Sequence, residues 1–218
     1  MRAIYFDTET SGLDCSECKV IELAMLVVED GEIIEEYDEF IDIEEKLDPQ
    51  ITNLTGITDD DLAEKGVYED VVADDLKEKL TPGTVMIAHN CQFDLSFIYY
   101  LLKRHYPSQA HEILSNLDWI DTVTVLKDRK EYPHRLVNAV EHYGIDEVNF
   151  HRAIDDTKAL YDVTQAMIGE RDDLEEYLNV FGYNPKYGVS GPRFDFIEYK
   201  RQYFNDRMVS PSKILPKR

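Results

Sequence analysis

Residues 3–10 read AIYFDTET, apolar at first and then abruptly polar. The pattern predicts a strand from Ala3 to Glu9. In a strand, residues i and i+2 point to the same face. Asp7 and Glu9 would therefore project side by side from the end of an apolar strand. Adjacent carboxylates repel unless a cation lies between them. The plain alternative is a frayed, solvated strand end.

Outward from this stretch, Val20–Glu29 and Glu32–Asp42 predict two further strands joined at Asp30-Gly31, a hairpin signal. DPQITNLTGITDDDL (48–62) reads as a loop with a short helix. A helix is expected over Tyr68–Leu80, stopped by Thr81-Pro82-Gly83. Thr84–Ala88 follows as a short buried strand, Asp94–Arg104 as a helix, and Leu117–Val125 as a strand running into a helix. His134–Tyr143, ended by Gly144, and Ile154–Ile168 are expected helices. Three antiparallel strands followed by alternating helix and strand predict an α/β fold, a mixed sheet with helices on its faces.

Two more carboxylates fall on apolar stripes. Asp94, in IAHNCQFDLSFI, shares helical spacing with Phe97, Ile98 and Leu101, where a lone charge is costly. It could simply cap the helix. In NFHRAIDDTKAL (149–160), Asp156 falls with Leu160, Val163 and Met167, whereas Asp155 falls with Lys158, Asp162 and Gln165. Asp156 is thus expected to point inward and Asp155 to water. His151 precedes this helix, as an ordinary surface or capping histidine or as a proton acceptor. If Asp7, Glu9, Asp94 and Asp156 converge, an all-oxygen set suits Mg²⁺ or Mn²⁺, the apparatus of phosphodiester hydrolysis.

FDTETSGL, HNCQFD and the H-x-x-x-x-D of HRAIDD resemble, in order and spacing, the three motifs of the DEDDh 3′–5′ exonucleases, the DnaQ-like family. TGIT and PHRLVNAVEHYGI are also similar to that family, and the likeness runs from about residue 2 to 168. It implies an RNase H-like fold with a mixed five-stranded sheet flanked by helices. It also implies two divalent cations, Mg²⁺ or Mn²⁺, on Asp7, Glu9, Asp94 and Asp156, with His151 as general base. Thr10, Gly12 and Leu13 resemble the segment that holds the terminal nucleotide. His89 and Asn90 resemble the polar approach to the second motif. Ser11 stands where many relatives have Thr.

The resemblance implies release of nucleoside 5′-monophosphates from a single-stranded 3′ end. DTETSG looks closer to the DNA-proofreading branch than to the oligoribonuclease branch. The same chemistry on RNA is the nearest rival, and a non-catalytic acidic accessory subunit is a rival of another class. A polymerase or other replication partner is compatible with the proofreading reading.

The composition is in tension with a polyanionic substrate. The chain has 218 residues and a net charge of −22, with 23 basic and 45 acidic side chains. Bulk attraction to nucleic acid or anionic membrane is therefore excluded. Residues 1–182 hold 15 basic and 42 acidic residues, a net of −27; residues 183–218 hold 8 and 3, a net of +5. This divides the chain into an exonuclease-like domain, 1–170, and a C-terminal extension, 171–218, whose aromatics either fold onto the core or help to grip the strand. The longest apolar run, Leu23–Val28, is far short of a membrane span, and the N-terminus lacks a signal-peptide pattern, so a cytoplasmic protein is expected. Cys15, Cys18 and Cys91 form no disulfide framework, and Cys15-x-x-Cys18 reads as an ordinary loop.

Overall fold

A computed structural model of the chain describes residues 1–146, 152–203 and 213–214. β1 (Arg2–Thr10), β2 (Val20–Glu29) and β3 (Glu32–Asp42) form an antiparallel meander. Asp30 and Gly31 turn the β2–β3 hairpin with φ of 50° and 89°, a conformation that glycine adopts without steric cost. β4 (Val67–Tyr68), β5 (Val85–Ala88) and β6 (Asp118–Asp121) complete a sheet of order β4-β3-β2-β1-β5-β6. The pairs β1–β5, β5–β6 and β3–β4 are parallel. The sheet thus has six strands where five were expected. The sixth, β4, is two residues at the edge, too short to leave a periodic signal.

The helices are α1 (Pro49–Thr55), α2 (Asp59–Lys65), α3 (Glu69–Lys79), α4 (Cys91–His105), α5 (Ala110–Ser115), α6 (Thr122–Arg129), α7 (Leu136–Tyr143) and α8 (Ala153–Glu170). The segment read as a loop with one helix holds two. Asp48 caps α1, and Thr58 and Asp61 form a reciprocal capping box on α2.

Strand alternation divides the core. Ile4 and Phe6 of β1, with Leu23, Met25 and Val27 of β2, face α3 and α4, burying Leu76, Leu95 and Ile98. Ala3 and Tyr5, with Leu26 and Val28, face α7 and α8, burying Val140, Leu160, Val163 and Met167. Successive residues of β1 therefore address different helix layers, which later places the carboxylates.

Beyond α8 the chain forms a 3-10 turn (Leu174–Tyr177) and a parallel pair, β7 (Val180–Tyr183) and β8 (Glu198–Arg201). Asn179 ties this unit to β6: its N–H donates to the Trp119 carbonyl at 2.8 Å, and its side-chain oxygen accepts from the Trp119 N–H at 2.9 Å. Phe181, Phe194 and Ile197 are buried in the α4-side core, so part of the extension folds back onto the body, while Tyr187 and Tyr203 stay exposed. Among the described residues, no helix is long and apolar enough to cross a membrane.

Candidate active site

The site lies where β1 ends. By alternation, Asp7 and Glu9 continue the face of Ala3 and Tyr5 toward α8, while Thr8 continues that of Ile4 and Phe6 toward α4. Asp156, in the first turn of α8, meets the first pair: Asp7, Glu9 and Asp156 each offer a carboxylate oxygen within 4.8 Å of the others. Asp94, in the first turn of α4 and 3% exposed, stands on the other side of the strand. It lies outside the 4.8 Å group. Its Oδ1 accepts from the Thr8 N–H at 3.1 Å and the Thr8 hydroxyl at 2.7 Å.

The four carboxylates feel one another. Burial, followed by the charges of Asp94, Asp156 and Glu9, holds Asp7 well above the usual carboxylate range. Burial, with Asp156, Glu22 and Asp94, pushes Glu9 up to about 7. Burial raises Asp94 to about 7 against the opposing hydrogen bonds from Thr8. Such an arrangement stores repulsion that a hard cation relieves. Three carboxylate oxygens within 4.8 Å, with no nitrogen or sulfur donor among them, fit a hard divalent cation.

Of the predicted substrate residues, Thr10 ends β1, Gly12 and Leu13 follow it, and His89 and Asn90 join β5 to α4. The Thr10 hydroxyl donates to the Gly12 carbonyl at 2.7 Å, folding the chain back after β1. A Cβ at Gly12 would sit 2.5 Å from the Cys18 sulfur, so a larger residue here would have to displace that side chain. Cys15 and Cys18 are free thiols in that loop. Leu13 is 83% exposed. Asn90 is exposed, with φ of 72°. His89 turns inward: its ring nitrogens lie 2.9 Å from the Thr122 hydroxyl and 2.9 Å from the His134 carbonyl. Burial pulls it down to about 4, so the ring is neutral near pH 7. His151 lies outside the described residues.

Four structural residues escaped the sequence reading. Thr8 orients Asp94. Asp121 accepts from the Asn90 and Cys91 N–H groups at 3.0 and 3.2 Å, which starts α4 at Cys91 instead of Asp94. Glu22 is fully buried and accepts from Arg152 and from the Ala153 N–H at 3.1 Å, anchoring the start of α8. Gln92, two residues before Asp94, binds the extension: its amide donates to the Ser190 and Pro192 carbonyls, both at 2.8 Å. Glu22 alone left a signal, as a charge in the otherwise apolar run VIELAMLVV.

Comparison with known proteins identifies the family. The family model RNase_T, described as Exonuclease, matches residues 4–164. The chain is 33% identical over 173 residues to DNA polymerase III PolC-type of Staphylococcus haemolyticus, and equally so to that of Staphylococcus aureus. The match takes in 78% of this chain but only 12% of those polymerases, so the chain spans about an eighth of their length. The fold resembles that of Escherichia coli exonuclease I, crystallised with single-stranded DNA in a zinc-bound form. There the TM-score is 0.71 at 19% identity, over 81% of this chain and 42% of that one. Exonuclease I of Methylocaldum szegediense gives 0.68 at 22%, over 79% and 41%. With the family model covering most of the chain, and the acidic residues of its motifs gathered at the end of β1, the protein belongs to the DnaQ-like 3′–5′ exonuclease family.

Proposed function

We propose that the protein is a metal-dependent 3′–5′ exonuclease that releases nucleoside 5′-monophosphates from single-stranded DNA. The observation that carries this reading is the convergence of Asp7, Glu9 and Asp156 within 4.8 Å, with Asp94 beside them. Asp7, Glu9, Asp94 and Asp156 would hold two divalent cations, Mg²⁺ or Mn²⁺. Bound there, the cations supply charge neutralisation at the phosphate and a lowered pKa for the attacking water.

The chain's own groups do the rest. Thr8 fixes one oxygen of Asp94, which limits how that carboxylate can turn. His151, five positions before Asp156, takes the proton from the attacking water near neutral pH. The Thr10–Gly12 turn and Leu13 receive the terminal nucleotide, with Leu13 offering its apolar side chain to the base. Asn90 would help to receive it, next to His89, which is held in place by Thr122 and the His134 carbonyl.

DNA is favoured because the solved relatives of this fold include exonuclease I bound to single-stranded DNA, and because the sequence relatives are DNA polymerases. The same relatives favour a setting in replication or repair beside a polymerase. The test is a time course on 5′-labelled single-stranded DNA and RNA of equal sequence, with Mg²⁺ or Mn²⁺ and with EDTA. A ladder shortening from the 3′ end only with metal, faster on DNA, is expected. A faster RNA ladder overturns the substrate, and metal-independent cleavage overturns the mechanism.

A further inference from the structure

The C-terminal extension places a cationic, tyrosine-rich face beside the active site of an otherwise acidic protein. Residues 183–203 carry Lys186, Arg193, Lys200 and Arg201 against Asp195 and Glu198. Asp195 lies 2.8 Å from His111, and Glu198 lies 3.5 Å from Lys200. Among the described residues, none of Lys186, Arg193 and Arg201 is paired with a carboxylate, and all three are exposed. They associate with aromatic rings instead. Lys186 lies 4.9 Å from the Tyr187 ring centroid, and Arg193 lies 5.1 and 4.8 Å from those of Tyr183 and Tyr199. Arg201 and Arg193 pull the Tyr183 phenol below its ordinary value. Tyr187 is 73% exposed and Tyr203 56% exposed.

This face is fastened to α4, which carries Asp94, and touches the loop that follows β1. Gln92 holds the 190–192 turn onto the first turn of α4, and the Tyr199 hydroxyl donates to the Gln92 side-chain oxygen at 2.8 Å. A Cβ on Gly191 would stand 2.7 Å from the Ser96 hydroxyl and 3.4 Å from the Cys15 sulfur, so the turn also touches the loop after β1. A cavity of about 140 Å³ is lined by Asn90, Asp121 and Lys127 together with Tyr183, Tyr187 and Tyr199. The parallel strands β1, β5 and β6 all end on this edge, with β7 packed beside β6.

A strand whose 3′ end sits at Asp7 and Glu9 must leave over a surface that does not repel it. Residues 1–182 carry a net of −27, so this cationic face differs in kind from its surroundings. Exposed tyrosines beside unpaired cations offer what single strands bind: planar faces for bases and positive charge for phosphates. Resting on the exonuclease reading above, we propose that Lys186, Tyr187, Arg193, Arg201 and Tyr203 form a binding track for the single-stranded DNA upstream of the 3′ terminal nucleotide.

The test is fluorescence anisotropy on the full chain in EDTA, with 5′-labelled single-stranded DNA of about 4 and about 12 nucleotides, across the range of known single-strand site sizes. The variants are K186E/Y187A and, separately, R201E; K65E on α2 controls for a general charge change. For the longer strand, Kd is expected to weaken about tenfold in K186E/Y187A, and the salt slope to fall by about 0.7 for each phosphate that is no longer neutralised. The shorter strand is expected to change by less than about twofold, as is K65E on either strand. Thermal unfolding of each variant within about 2 °C of wild type shows that the fold is kept. A longer-strand Kd unaltered in both variants, or an equal weakening in K65E, overturns the proposal. If wild type still produces a metal-dependent ladder in that case, the exonuclease reading stands without the track. If no ladder forms but binding of the longer strand is weakened selectively, the track stands without the exonuclease.

Discussion

Arg152 and Glu22, 130 residues apart in the chain, are joined by hydrogen bonds of 3.0 Å from Nε and 2.8 Å from a terminal nitrogen, both to Glu22 Oε1. Glu22 is also the cross-strand partner of Glu9. The pair therefore links the strand beside the acidic group to the first residues of α8, the helix that carries Asp156. The Arg152 guanidinium lies 5.1 Å from the Phe40 ring centroid, which holds its plane against β3.

Arg152→Ala should leave the buried Glu22 carboxylate without its counter-charge. Removing one partner of a buried pair costs about 3–5 kcal/mol, and the partly exposed arginine side places this one near about 3 kcal/mol. At about 2–4 °C per kcal/mol for a chain of this size, Tm should fall by about 6–12 °C in calorimetry, and Arg152→Lys should recover part of it. A Tm within about 2 °C of wild type would show that the pair does not anchor α8.

Asp7→Asn should separate activity from stability. Turnover on single-stranded DNA with Mg²⁺ should fall by about a thousandfold or more, because one carboxylate of the proposed cation site is removed. In EDTA the same variant should melt above wild type, because burial and four neighbouring carboxylates disfavour the Asp7 charge. A lower Tm in EDTA would mean that the repulsion is relieved in some other way.

Glu9 and Asp94 both rise to about 7 in the folded chain, from ordinary values of 4.5 and 3.8. A carboxyl whose folded pKa lies above its unfolded value holds its proton more tightly when folded. These groups therefore favour folding at low pH, and that contribution is lost as pH rises from about 4 through about 7. A bound cation replaces the protons, so the Tm gain from Mg²⁺ should be larger at pH 8 than at pH 5.5, by about 3 °C or more. Equal gains at both values would place the cation elsewhere.

Gln92→Ala should loosen the extension without unfolding the body. It removes the donor to Ser190 and Pro192 and the acceptor for Tyr199, at a cost of about 1–3 kcal/mol. Limited proteolysis should cut within 184–193 several times faster than in wild type, while residues 1–170 stay resistant. Unchanged cleavage there would show that burial of Phe181, Phe194 and Ile197 holds the extension by itself.

Much of this molecule was readable in one dimension because its periodicities are local. β2 and β3 have the bounds expected from their strand-like runs and from the Asp30-Gly31 turn. The inward direction of Asp156 and the outward direction of Asp155 follow from 3.6-residue spacing, and Asp156 is indeed buried while Asp155 is partly exposed. The spacing of Asp7 and Glu9 put both on one face of β1 for the same reason.

What tertiary structure alone decided is which distant groups meet. Asp121 begins α4 three residues early, because its carboxylate comes from a neighbouring strand and no local rule points to it. Thr8, not the helix, orients Asp94. Gln92, an ordinary polar residue in sequence, fastens the extension beside the active site. Residue pattern and charge determined that this chain would gather carboxylates at the end of its first strand. Long-range hydrogen bonds, which depend on the register of packed elements and leave no trace in local spacing, decided how those carboxylates are held and what lies next to them.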